Sequence, residues 1–523
     1  MPALPTAGSG STETVLEMRG VRKAFGSVVA LDDASFQLGT QEIHGLLGGN
    51  GAGKTTLMNI LYGLYRADAG EVVLHGRPVH IRSPRDALGH GIGMVHQHFL
   101  QVENFTVTQN VTLGMPAHSR MRLALREAEG RVRELAARFG LDVDPRARAA
   151  ELPVGARQRV EILKALYRDA RILILDEPTT NLTPQEVDSL FASLRAMVRG
   201  GISVVFITHK IREAMNVCDR ISVMRLGRNV LTLVRKETSE EALVRAMVGE
   251  ALDLRQSLLF SGGRAEPRPP ASTEMVLRVE GLTVMAGERA RVEDCTLHVC
   301  GGEILGIAGV AGNGQRELVE ALMGVRAVAR GKLWVDHVDV TGAGAARLLA
   351  LGVTYIPEDR LHDGFLPRGS VVQNLILGFH RRHPYTSGRW LDWKAAFGAA
   401  RQMIAEYQIR TPGPEEAAVN LSGGNIQRLM LARAFSHPCR LLIAHNPTRG
   451  LDVPSTEFVY AKLLERRGQG VAILLISEDL DELLFLCDRI AVFHRGKTVG
   501  MFDRRAFDRY RIGRLMSGVE TPG

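Results

Sequence analysis

A chain of 523 residues, 45% of them hydrophobic and 23% charged, is too long for a single hydrophobic core and has an ordinary globular composition. About two to four domains are expected. The formal net charge is +8, but Arg and Lys are scattered among Asp and Glu, which reads as a solvated basic surface rather than a polyanion-binding stripe. Five cysteines (Cys218, Cys295, Cys300, Cys439 and Cys487) show neither a paired framework nor metal-ligand spacing, so they are expected to be reduced and mostly buried.

Taken in chain order, residues Met1 to Thr14 are small and polar, without a charged-then-apolar leader, and read as a loose tail. Residues 15–250 then alternate short apolar runs such as "RILILDE" and "VVFITH" with helical patterns, which predicts an α/β fold with buried, mostly parallel strands. After the loop "GGNGAGKT", Leu57, Ile60, Leu61 and Leu64 fall at i, i+3, i+4 and i+7 and predict one apolar helix face. Residues 251–275 contain the Pro-, Gly- and Ser-rich stretch "SLLFSGGRAEPRPPAST" and read as a linker. Residues 276–516 then repeat the first segment. "VLEMRGVRKAFG" at Val15 returns as "VLRVEGLTVMAG" at Val276, "GGNGAGKTTLMNIL" at Gly48 as "GVAGNGQRELVEAL" at Gly309, and "CDRISVMRLGR" at Cys218 as "CDRIAVFHRGK" at Cys487. An offset of roughly 260 to 270 residues is far too long for a solenoid repeat and fits a duplicated domain. No uninterrupted apolar run approaches the roughly 20 residues that span a bilayer, so any membrane role is expected to be peripheral.

The first repeat carries the chemistry. "GGNGAGKT", Gly48 to Thr55, fits G-x-x-x-x-G-K-[ST] between a strand, "EIHGLLG", and a helix. Glycines at that spacing let backbone N–H groups wrap phosphates at a helix N-terminus; Lys54 is placed to reach the β- and γ-phosphates and the Thr55 hydroxyl to ligate Mg²⁺. "ILILDEP" is an apolar strand ending in two carboxylates, of which Asp176 is placed to hold Mg²⁺ through water and Glu177 to act as base for an attacking water. His209, at the end of "VVFITH", is placed to bond the γ-phosphate.

Together with Gln97 in "GMVHQHF" and "LSGGN" at Leu421, these motifs resemble the ATP-binding cassette (ABC) family across nearly the whole chain. The resemblance implies two P-loop domains, each with a mixed or parallel core sheet and a helical signature subdomain. It also implies head-to-tail pairing, each ATP lying between the phosphate loop of one half and the signature of the other. Site one would then take Phe25 (stacking on adenine), Gly48, Gly49, Asn50, Gly51, Ala52, Gly53, Lys54, Thr55, Thr56, Gln97, Asp176, Glu177 and His209 from the first half. Thr55, Gln97 and Asp176 would be its Mg²⁺ residues, and Glu177, His209 and Gln97 its catalytic ones. The second half would add Ser422, Gly423, Gly424 and Asp452.

Site two takes the opposite set, and every departure falls there. Lys54 is matched by Gln315, Thr55 by Arg316, Gln97 by Glu358, Asp176 by His445, Glu177 by Asn446, His209 by Glu478 and Phe25 by Ala286. From the first half it receives Pro153, Val154 and Thr183 in place of Ser, Gly and Asp. Random decay would scatter losses between the sites, so their segregation points to one hydrolytic site and one that keeps the interface without turnover.

The degenerate loop "GVAGNGQRE", with "YIPEDR" and "PTRGLDV", is similar to tandem cassettes of monosaccharide and nucleoside importers. "GIGMVHQHFLQVENFTVTQNVTLG" and "VGARQRVEILKALYRDARILILDEPT" favour the nucleoside branch; Pro153 and Asn181 to Thr183 depart from both. The implied protein is a peripheral ATPase on the cytoplasmic face of the inner membrane. It would work with a transmembrane permease and, through it, an external substrate-binding protein, and not with nucleic acid, its halves pairing with each other or in a homodimer. The segment after Gln97 would touch the permease; Arg120, Arg122 and Arg126 there read as a solvated helix face rather than a contact. Monosaccharide import is the alternative, and a soluble tandem cassette acting on ribosomes or DNA a distant one, supported only by the basic charge.

Overall fold

A computed structural model describes residues 13–26, 28–97, 99–115, 125–180, 182–248, 272–387 and 390–518. Nearly all of the expected tail and linker, together with Arg120, Arg122 and Asn181, lies outside the described residues. By its internal contacts the chain forms two compact units: Met1–Leu182 with Glu186–Leu254, and Arg255–Gly523 with Thr183–Gln185.

Unit 1 is built on a six-stranded sheet in the order Arg228–Val234, Arg220–Arg225, Ile43–Leu47, Ser203–Thr208, Ile172–Asp176, Ile92–Val95. All neighbours are parallel except the outermost pair, Arg228–Val234 on Arg220–Arg225. The central strands IHGLL, ILILD and SVVFIT are buried at every position. That is why they read as continuous apolar runs: helices cover one face of a parallel sheet and further structure the other. A second, antiparallel sheet contains Thr14–Phe25 between Val28–Gly39 and Ala69–Leu74. Its inward residues Leu16, Met18, Leu31, Phe36 and Leu38 share a core with Leu46, Leu57 and Ile174.

Unit 2 repeats this plan with the order Val353–Ile356, Leu441–His445, Ala472–Ser477, Ile304–Ala308, Arg489–His494, Lys497–Asp503, again antiparallel only at the last pair. The α/β duplication read from the sequence is therefore present strand for strand in the two main sheets, and unit 2 adds a short pair, Thr386–Ser387 with Trp390–Leu391.

Each unit also has a helical part. In unit 1, Val107–Thr112, Leu125–Phe139 and Val154–Tyr167 pack together; in unit 2, Val371–Leu375, Trp393–Glu406 and Gly423–Phe435 do so. The first helix of each trio begins with a capping box, Thr106 with Gln109 and Ser370 with Gln373. Four residues beyond each cap, the buried Asn110 and Asn374 tie down the preceding loop, accepting from the Val102 and Leu366 amides at 2.8 and 2.7 Å. Polar caps and buried amides fix the same entry angle in both units because each satisfies backbone groups that water cannot reach.

One expectation needs correction. The helix after the glycine loop is Lys54–Leu61, so Leu57, Ile60 and Leu61 are buried on its inner face, but Leu64 lies beyond it and is exposed. The helix stops because Gly63 turns at φ +79° close against the Ser83 backbone, where a Cβ would lie 2.6 Å from the Ser83 carbonyl carbon. Among the described residues no helix is long and apolar enough to cross a membrane. All five cysteines are free; Cys218, Cys295 and Cys487 are buried and the other two half-buried.

Candidate functional site

The phosphate loop of unit 1 leaves the buried Ile43–Leu47 strand and enters the Lys54–Leu61 helix. Its glycines are used for space and for handedness. Gly48 passes so close to the Met224 carbonyl that a Cβ would sit 2.5 Å from it, and Gly51 and Gly53 hold φ of +76° and +100°. Only glycine takes such angles without strain. Asn50 and Gly51 face solvent, Gly49 and Thr56 are half-buried, and Ala52 is buried, its carbonyl accepting from the Gly227 amide at 3.1 Å. The loop is thus pinned from behind with its open side free.

Lys54 is only 6% exposed and donates to the carbonyls of Gly48 and Gly49 at 2.7 and 3.0 Å. Burial pulls its pKa below the ordinary lysine value against the charges of Glu177 and Asp176. The Thr55 hydroxyl donates to Asp176 Oδ2 at 3.2 Å. Burial first, and the adjacent Glu177 second, push the Asp176 carboxyl up from its usual range, which Thr55 and Lys54 partly offset. Such a carboxylate gains from a cation beside it.

Glu177 follows at the strand end with φ +48°, its amide donating to the Ile207 carbonyl at 3.0 Å. A glutamate in the left-handed region is held there by its surroundings, and such positions cluster at functional sites. Gln97 Nε2 donates to Glu177 Oε2 at 3.0 Å, and His209 Nδ1 lies 2.8 Å from Glu177 Oε1. Burial alone would raise the Glu177 pKa, but the His209 bond and charge, with Lys54 and Lys210, outweigh it and hold the carboxyl below its ordinary value. Three segments far apart in sequence therefore converge on one ionised carboxylate.

Phe25 ends its strand 45% exposed, edge-on to Tyr65 at 5.2 Å, with Lys23 Nζ 5.5 Å from its ring centre. Tyr65 was not anticipated from the sequence; its only signal is that it follows the glycine-loop helix. Also unanticipated is Thr179, whose hydroxyl donates to Glu213 at 2.6 Å and fastens the turn after Glu177 to the Ile211–Val217 helix.

Ser422, Gly423, Gly424 and Asp452 belong to unit 2. Ser422 is the N-cap of the Gly423–Phe435 helix and its hydroxyl accepts from Asn425 Nδ2 at 2.9 Å, leaving its own donor available. Asp452 caps the Val453–Gly468 helix, accepting from the Ser455 amide at 3.0 Å. In unit 1 the matching N-cap is Pro153, with φ −63° and ψ 160° against −65° and 158° at Ser422. Proline fixes φ near this value, so it keeps the backbone conformation and gives up the hydroxyl and its own backbone N–H.

At the matching centre of unit 2, Gln315 is buried and donates to the Val310 carbonyl at 3.1 Å. Arg316 pairs with Glu320 at 2.9 Å. Glu358 accepts from Asn446 Nδ2 at 3.0 Å, is paired with Arg449, and lies 3.6 Å from His445 Nε2. Glu478 donates its backbone amide to Asn446 Oδ1 at 3.0 Å. Ala286 closes its strand without a ring.

The ABC transporter family model matches residues 31–180 and again 292–449, one match in each unit. The chain is 40% identical to the guanosine import ATP-binding protein NupO of Bacillus subtilis, over 97% of this chain and 98% of that one. It is 39% identical to the nucleoside import ATP-binding protein NupA of Lactococcus lactis, over 97% and 99%, and 40% identical to the ribose import ATP-binding protein RbsA 1 of Rubrobacter xylanophilus, over 97% and 98%. With two family matches, a nucleotide-binding loop on a parallel sheet and relatives matched end to end, the chain belongs to the ABC transporter family, as an ATPase subunit built from two cassettes.

Proposed function

We propose that this chain hydrolyses ATP at one composite site to drive nucleoside import through a membrane permease. The observation that carries the hydrolytic part is the ionised Glu177, held between Gln97 and His209 beside the buried Lys54 and the Thr55–Asp176 pair. The nucleoside assignment is supported by the two relatives named for guanosine and nucleoside import, and the ribose importer keeps the monosaccharide alternative in view.

In this reading Gly49, Asn50, Gly51, Ala52, Gly53 and Thr56 present backbone N–H groups to the α- and β-phosphates at a helix N-terminus. Lys54, already desolvated, loses little further hydration on meeting the β- and γ-phosphates. Phe25 stacks on the base. Thr55, Gln97 and Asp176 are hard oxygen donors of the kind Mg²⁺ takes, and Asp176, its pKa raised by burial and by Glu177, would be stabilised in its charged form by a cation beside it. When bound, Mg²⁺ would neutralise charge on the β- and γ-phosphate oxygens. Glu177 accepts the proton of the attacking water, His209 orients that carboxylate and the γ-phosphate, and Gln97 links the centre to the segment that follows it. Ser422, Gly423, Gly424 and Asp452 close the site from the second cassette, the serine hydroxyl and helix N-terminus donating to the γ-phosphate.

Closure on ATP would drive the permease from the cytoplasmic face of the membrane, with an external binding protein delivering substrate. The exposed Arg126, on the Leu125–Phe139 helix, remains a solvated residue in this scheme. The repeats, taken as 15–250 and 276–516 with a linker at 251–275, would pair with each other or across two copies. Deleting the coding sequence and measuring uptake of labelled guanosine, uridine and ribose, with rescue by wild type and by Glu177→Gln, tests the proposal. Loss of nucleoside uptake alone, rescued only by wild type, is expected; loss of ribose uptake alone would move the substrate to the alternative.

A further inference from the structure

Unit 2 keeps the shape of a phosphate cradle and rearranges the charges around it. Gly312 and Gly314 hold φ of +86° and +102°, within about ten degrees of Gly51 and Gly53. Gly309 passes 2.9 Å from the Phe493 carbonyl when given a Cβ, as Gly48 does beside Met224. The Leu318 amide donates to the Gly314 carbonyl at 2.9 Å, just as Leu57 does to Gly53. The N–H groups that wrap α- and β-phosphates are therefore presented alike in both units.

Beyond that cradle the two differ at each position that would touch a metal or a third phosphate. A neutral Gln315 amide replaces the Lys54 cation. The hydroxyl of Thr55 becomes the Arg316 guanidinium, and the Asp176 carboxylate becomes the buried His445 imidazole, whose pKa burial holds low. Glu358 stands where Gln97 would supply a metal oxygen, but its carboxylate is taken up by Arg449, Asn446 and His445. The strand end that carries His209 in unit 1 carries a second carboxylate, Glu478, in unit 2. Arg449 lowers the Glu478 pKa, but burial, the larger influence, and Glu358 raise it to about 7.

We propose that the cradle of unit 2 takes a nucleoside diphosphate without a divalent cation, and that Glu478 and Glu358 exclude a third phosphate. This rests on the two-cassette reading above but not on turnover at unit 1. At the positions where unit 1 offers a γ-phosphate the Gln97 amide, the His209 ring and the Lys54 cation, unit 2 offers the carboxyl oxygens of Glu358 and Glu478 and a neutral Gln315, so a third phosphate meets acceptors in place of donors; a diphosphate ends short of them and needs only N–H donors and the Arg316 guanidinium.

The test uses the full chain, labelled with 8-azido-ADP or 8-azido-ATP in EDTA or in Mg²⁺, with modified peptides mapped and affinities taken from competition. ADP is expected to label unit 2 equally in EDTA and in Mg²⁺, and ATP to compete there about tenfold or more weakly. Glu478→Gln, and separately Glu478→His, should bring the ratio to about threefold or less while leaving ADP affinity unchanged. Labelling of unit 2 by Mg²⁺–ATP as tightly as by ADP would overturn the proposal, as would no labelling of unit 2 under any condition. Failure of unit 1 to hydrolyse ATP would remove the proposed function and leave this measurement intact.

Discussion

The strand ends Asp176–Glu177 and His445–Asn446 occupy one backbone with two chemistries. Glu177 and Asn446 share the left-handed conformation, at φ +48° and +45°, and their amides donate to the Ile207 and Ile476 carbonyls at 3.0 and 2.7 Å. The next turn is fastened alike, Thr179 to Glu213 at 2.6 Å and Thr448 to Glu482 at 2.7 Å. In unit 1 the partners gathered there leave one carboxylate ionised and facing its donors. In unit 2 the same positions form a closed network of Glu358, Asn446, Arg449 and His445 that satisfies itself. The comparison teaches that this strand-end scaffold is held by backbone bonds independent of the charges it carries. The charges can therefore be lost together while the fold stays.

The largest effect that would break this contrast is at the proposed base. Glu177→Gln should lower phosphate release by about 10²–10⁴-fold with ATP still bound, while Asn446→Glu restores none. Release persisting near the wild-type rate in Glu177→Gln would end the assignment. Next, Ser422→Ala should slow turnover by about 10–10²-fold, since it would remove the proposed donor to the γ-phosphate, and Pro153→Ser should change it less than about twofold. Equal sensitivity of the two signatures in steady-state ATPase assays would dissolve the asymmetry.

A smaller effect concerns stability. Because Glu478 and Glu482 are raised to about 7 in the fold, mainly by burial, the folded state holds their protons more tightly than the unfolded chain. Stability is therefore full below the ordinary glutamate pKa of about 4.5 and falls as pH rises towards 7, by about 1–3 kcal/mol for each group. Urea titrations of wild type and Glu478→Gln between pH 5 and 8 should show a shallower decline in the variant. Glu177 runs the other way: its depressed pKa keeps it charged through neutral pH, and its contribution is lost only as pH falls below the ordinary carboxylate range. The smallest expected effect is at the half-exposed Arg449, whose replacement by Ala should cost about 0–1 kcal/mol by the same titration and leave ATPase activity unaltered.

Much of this was legible in sequence because it depends on local spacing. The glycine loop, the carboxylates after "ILIL" and the histidine after "VVFIT" lie at the ends of uniformly apolar runs, and a parallel strand buried on both faces has no other signature. The helix end at Leu61 was not legible, since the apolar period continues to Leu64 and only the approach of Gly63 to the Ser83 backbone stops it. Nor was Pro153: its consequence depends on a φ that the matching serine also adopts.

By itself the sequence determined the duplication, the α/β class and the segregation of intact and altered motifs, because residue identity at fixed spacing decides which groups can bind phosphate at all. The tertiary structure alone decided which groups meet. Gln97, Glu177 and His209 come from three separate segments; burial raises the Glu177 pKa, and the His209 bond and charge, with Lys54 and Lys210, outweigh it. The same convergence in unit 2 turns Glu358 inward onto Asn446, Arg449 and His445. Charge state in a buried site follows from neighbours in space, which spacing along the chain does not specify.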